Sequence, residues 1–127
     1  MPYFLRRIKY FFQRGIRGWA DEDIWNFDDY LARIIIDGLL KLKGTQLGCP
    51  SDMWDAEAKN NECHKWQETL ETMIQAFKAH LELKDHCLPL RKEGYKAEVD
   101  MESFKNMGKK AQDGMFLFIK YFGHLWD

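Results

Sequence analysis

The segment Asp21–Lys43 (DEDIWNFDDYLARIIIDGLLKLK) constrains the fold most, because it carries two apolar stripes where a surface helix needs one. Ile24, Phe27, Leu31, Ile34, Ile35, Gly38 and Leu42 form the first stripe, and Trp25, Ala32, Ile36, Leu39 and Leu40 the second. A helix of this kind is expected at the centre of a bundle or against a second subunit, so a homo-oligomer is the expected state. Asp21 reads as its N-cap, with Glu22 and Asp23 in the first turn, where the helix dipole favours acid. Lys41, Lys43 and Gly44 mark its end. Asp28 falls on the flank of the apolar arc. Its carboxylate is expected to be buried and paired, with Arg14 or Arg17 as partner; the structural ion pair expected is Asp28–Arg17.

Two further long helices follow from the periodicity. One spans about 61–84, with Trp66, Leu70, Met73, Ile74, Phe77 and Leu81 on one face and Glu68, Glu71, Gln75, Lys78 and Glu82 on the other. The next spans about 100–126, capped by Asp100 or, further along, by Ser103, and turns apolar nearly all round from Met115, so a docked end is expected. Residues 44–60 and 85–99 read as connections, the first with Trp54 folding back onto the core. Residues 3–14 place Phe4, Ile8, Phe11 and Phe12 on one helical face, a short amphipathic helix ended by Gly15 or Gly18. Val99 is the sole valine, and Leu, Lys, Glu, Ala and Met dominate the chain. The expectation is all-α: a single domain over 1–127, built as a compact bundle of three long helices plus a short N-terminal amphipathic helix.

Net charge is −1, which hides an asymmetry. Residues 1–17 hold five cations (Arg6, Arg7, Lys9, Arg14, Arg17) and no acid, leaving fourteen cations against twenty acids elsewhere. A basic arm lying across an acidic body explains this. The competing explanations are an anion site and a membrane surface. Nucleic acid is disfavoured because the basic charge is confined to one short arm. The longest apolar runs fall far short of the roughly 20 residues of a membrane crossing. Three cysteines without CxxC spacing, and no secretory signal, predict free thiols in a reducing cytoplasm.

Three constellations merit chemical attention. Arg14, Arg17, Trp19 and Trp25 would grip a small nucleotide-like anion, the guanidiniums on phosphate and an indole on the base. Asp21, Asp23, Asp28, Glu68 and Glu71 would serve a metal-dependent nucleotide phosphohydrolase with paired carboxylates on two helices, although Glu68 and Glu71 occupy the polar side of theirs. Cys63-His64 and His86-Cys87 sit at opposite ends of one helix, about 30 Å apart at 1.5 Å per residue, and cannot share a zinc ion. No catalytic signature, resident metal or cofactor is expected.

The stretch Arg17-Gly18-Trp19-Ala20-Asp21-Glu22-Asp23-Ile24-Trp25, then Asp28, Tyr30-Leu31-Ala32 and Ile35, resembles a group of small uncharacterised proteins encoded by tailed bacteriophages. The ending Lys120-Tyr121-Phe122-Gly123 with Leu125-Trp126-Asp127 extends the resemblance. It implies an accessory protein made in the cytoplasm of an infected bacterium. Proteins of this kind act by engaging a host protein or by capturing a signalling nucleotide, in counter-defence or host takeover. The expected function is therefore a non-enzymatic binding protein with a small anionic ligand or a host protein as partner. The phosphohydrolase and a structural or assembly protein are the alternatives, and a membrane partner is not expected.

Overall fold

The computed structural model describes residues 1–45, 48–53, 63–92 and 101–126, with the backbone alone for 84–92 and 101. All regular structure among the described residues is helical: α1 (Tyr3–Arg17), α2 (Phe27–Thr45), α3 (His64–Lys92) and α4 (Met101–Lys120). Short 3₁₀ segments cover Asp21–Asn26, Ser51–Met53 and Phe122–His124. The chain divides into two compact units, Met1–Leu31 and Ala32–Asp127.

The larger unit holds the core. Trp66, Leu70, Met73 and Ile74 of α3 are fully buried, as the stripe on that helix requires. α4 runs antiparallel to α3: Trp66 meets Tyr121 edge-on at 5.5 Å, and Phe77 meets Phe118 at 5.2 Å. One turn before Phe118 the helices come so close that a Cβ on Gly114 would overlap Ala76 Cβ and lie 2.9 Å from the Thr72 carbonyl oxygen. From α2, Ala32, Ile36 and Leu39 enter the same core, with Ile35 and Leu42 packed against it. Lys43 donates to Glu71 across 2.7 Å and thereby ties α2 to α3.

Several expectations change. The double-striped helix is α-helical only from Phe27; its first six residues wind as 3₁₀. Ala20, not Asp21, is the N-cap, and the Asp23 carboxylate accepts the Ala20 N–H at 2.7 Å. Ala32, Ile36 and Leu39 of the second stripe are buried, while Leu40 of that stripe and Phe27, Leu31 and Ile34 of the first are exposed in the single chain. α3 continues through Pro89 to Lys92 rather than stopping near Lys84. α4 ends at Lys120, and only part of the chain end is docked: Tyr121 is buried and Leu125 packs on the core, whereas Phe116, Ile119 and Phe122 face outward. Trp54 and the Asp100 cap lie outside the described residues.

The free-thiol expectation is corrected for two cysteines. Cys49 and Cys63 are joined in a disulfide with Cα atoms 5.9 Å apart. The pairing anchors the segment before α3 to that helix's start, and a loop of this size contributes about 3 kcal/mol by restricting the unfolded chain. Tyr121 reinforces it by donating its hydroxyl to Asp52 at 2.9 Å.

Candidate functional site

The smaller unit is built around the polar side of α1. Gly18, at φ 85°, adopts the left-handed conformation that ends helices, and its N–H returns to the Arg14 carbonyl at 2.9 Å. The chain therefore doubles back, and the acids of the 3₁₀ segment meet the cations of α1. Arg14 binds Asp23 through both Nε (3.0 Å) and Nη2 (2.6 Å) and reaches Glu22 at 2.8 Å. Arg17 pairs with Asp21, donates to the Trp19 carbonyl at 3.0 Å, and stacks 3.7 Å above the Trp19 ring. Gln13 both donates to the Asp21 carboxylate (2.8 Å) and accepts the Asp21 N–H (2.9 Å), while Lys9 Nζ stands 3.3 Å away. Tyr30 closes the turn by donating its hydroxyl to the Gly18 carbonyl.

The electrostatics follow from this clasp. Hydrogen bonds from Gln13 and Arg17 bring the Asp21 pKa down to about 2. The Arg14 guanidinium holds Asp23 below the usual carboxylate range, and Asp23 and Glu22 in turn raise Arg14 further above its already high value.

The expected Asp28–Arg17 pair is corrected: Arg17 is taken by Asp21 and Arg14 by Asp23 and Glu22, because the Gly18 turn brings those three acids within reach first. Asp28 is exposed rather than trapped in an apolar wall. Of the anion-gripping set, both arginines are held by carboxylates, Trp19 lies beneath Arg17, and Trp25 is 90% exposed. Of the carboxylates named for a metal, Asp21 and Asp23 belong to the clasp. Glu71 is bound by Lys43 and Gln75, which depress its pKa, and Glu68 is exposed on the outer side of α3. The zinc ligand set loses Cys63 to the disulfide.

The feature that sequence reasoning passed over is the other side of α1. At 100° per residue, Phe4, Leu5, Ile8, Phe11, Phe12, Gly15 and Ile16 fall within an arc of about 140°. The remaining arc holds Arg6, Arg7, Lys9, Gln13, Arg14, Arg17 and two tyrosines. In most surface helices the apolar arc packs inward and the polar arc meets water. Here the polar arc is bound by the chain's own acids, and α1 buries none of its residues. Phe11 is 73% exposed and Ile16 86%. An open groove of about 640 Å³ runs along this helix, lined by Phe4, Arg7, Ile8, Tyr10, Phe11, Phe12, Arg14 and Glu22. The apolar spacing was visible in the sequence; the reversal depends on the Gly18 turn, which sets acids against cations.

No protein-family model matches the chain, and no curated protein or solved structure matches it.

Proposed function

We propose that this chain is a non-enzymatic binding protein and that α1 is its contact element. The observation that carries the reading is the outward apolar arc of α1. Burying a Phe or Ile side chain is worth about 1.5–3 kcal/mol, so an arc of six large apolar side chains in water is costly unless something covers it. An ion pair exposed on both sides, such as Arg17–Asp21, contributes little stability, while Arg14 grips the largely buried Asp23 carboxylate through two nitrogens; together these pairs fix which side of α1 meets the 3₁₀ segment. The resemblance to small tailed-phage proteins supports an accessory role in the infected bacterial cell, exerted by contact. Capture of a small anion by Arg14, Arg17, Trp19 and Trp25 is less well supported, because an anion would have to displace carboxylates already bound to both arginines. Metal-dependent hydrolysis is weaker again, since Asp21, Asp23 and Glu71 are already neutralised by cations.

A photoreactive phenylalanine analogue in place of Phe12, irradiated in cells producing the chain, tests this. Adducts are expected from position 12 and not from a control probe at Lys110 on the exposed side of α4. Unreacted chain at both positions, or nucleotide turnover by the purified protein with Mg²⁺ or Mn²⁺, would overturn the reading.

A further inference from the structure

We infer that the surface covered by α1 is a bilayer carrying anionic lipid, an inference that rests on α1 being the contact element. The composition of the whole chain disfavours a membrane partner, but the geometry of α1 alone points the other way. A helix that lies in a membrane interface has a sharply divided circumference and too many charges to be apolar overall. It sets bulky aromatic and aliphatic side chains on one arc and Arg or Lys on the other. α1 has each of these, and its fifteen residues span about 22 Å, enough to lie along a surface but not to cross one. No helix among the described residues is long and apolar enough to cross a membrane.

Charge decides among the occupants. α1 contains no acid. Lys9, Arg14 and Arg17 are engaged by Asp21, Glu22 and Asp23, but Arg6 and Arg7 have no ion pair among the described residues and only lean on the Tyr3 ring at 5.6 and 5.8 Å. Arg7 borders the apolar arc beside Phe11 and lines the groove, so its guanidinium can reach a lipid phosphate while Phe4 and Phe11 enter the acyl boundary. Glu22 lines the same groove, but its carboxylate is held by Arg14. A second copy of α1 facing this arc would bring Arg7 and Lys9 against further cations with no acid on either helix to meet them. An anionic lipid surface meets the same cations with opposite charge.

The test is co-sedimentation of the full chain with vesicles of phosphatidylcholine, with and without phosphatidylglycerol at about 30 mol %. Binding to the anionic vesicles is expected to be about tenfold tighter than to neutral ones and to weaken with added salt. Phe11→Ser with Phe12→Ser should abolish it and Arg7→Glu should weaken it, with unchanged circular dichroism because none of these side chains is buried. Absence of binding to both vesicle types, or equal binding that ignores both variants, would overturn the lipid assignment. So would a dimer in native mass spectrometry that the double Phe variant dissociates. If vesicles fail while the position-12 probe still labels a protein, the lipid inference falls and the binding function stands; if both fail, both readings fall.

Discussion

In α3 the apolar stripe of Trp66, Leu70, Met73 and Ile74 is sealed from solvent, while in α1 the comparable stripe of Phe4, Ile8, Phe11 and Phe12 faces outward. Both helices have well-formed amphipathic spacing, so periodicity alone does not explain their different fates. The polar sides differ. On α3, Glu68 and Lys78 are exposed and Glu71 holds one cation from α2, which leaves the apolar face to make the packing. On α1, a concentrated block of cations is matched by the acids Asp21 to Asp23 a few residues along, and that match fixes which side turns inward. A helical pattern shows that a helix has a sticky face; the neighbouring charge determines whether the chain itself uses it.

The largest effect that would test this contrast is Trp66→Ala. Removing a fully buried indole from the α3–α4 core should cost about 3–5 kcal/mol in urea unfolding, and a cost below about 1 kcal/mol would remove the distinction between the two helices. Gly114→Ala comes next. The added methyl would overlap Ala76, so a loss of about 1–3 kcal/mol is expected, unless α3 and α4 separate more easily than their spacing implies.

Acid sharpens the contrast from the α1 side. Asp21 has its pKa lowered in the folded chain from 3.8 to about 2, so its contribution to the clasp is complete above pH 3.8 and is lost as pH falls through about 2. The Trp19 indole resonance, under the Arg17 guanidinium, should shift within that window. A midpoint at the ordinary aspartate value would mean that the clasp is not formed. The smallest stability effect belongs to Phe11→Ser, which should change unfolding free energy by no more than about 0.5 kcal/mol because that ring is exposed. A loss comparable to that of Trp66→Ala would show the α1 face to be part of the core.

Much of the helical content was readable from residue spacing. The buried stripe of α3, the apolar side of α1 and a stop for that helix at Gly15 or Gly18 all followed from local pattern, because helix geometry and caps are set by neighbours three or four residues apart. Three things were not local. Arg17 pairs with Asp21 rather than Asp28: burial in α2 is confined to Ala32, Ile36 and Leu39, so Asp28 is exposed, and spacing alone does not fix which part of an apolar arc is covered. The Cys49–Cys63 bond joins residues fourteen apart, a pairing that composition does not fix. The outward turn of α1 depends on ion pairs across a chain reversal, and Arg14 could as readily have been assigned to a ligand phosphate as to Asp23.

The notch at Gly114 has a consequence for how the hairpin of α3 and α4 can be assembled. With helix backbones this close, the side chain at that point must be absent, and a slip of one helical turn, about 5.4 Å, would bring Lys110 or Phe118 to the same place. Neither a charged chain nor an aromatic ring fits where a single hydrogen does, so either of these slips is disfavoured against the observed alignment. That alignment sets Tyr121 against Trp66 and within reach of Asp52, so a residue with no side chain determines where the end of the chain comes to rest.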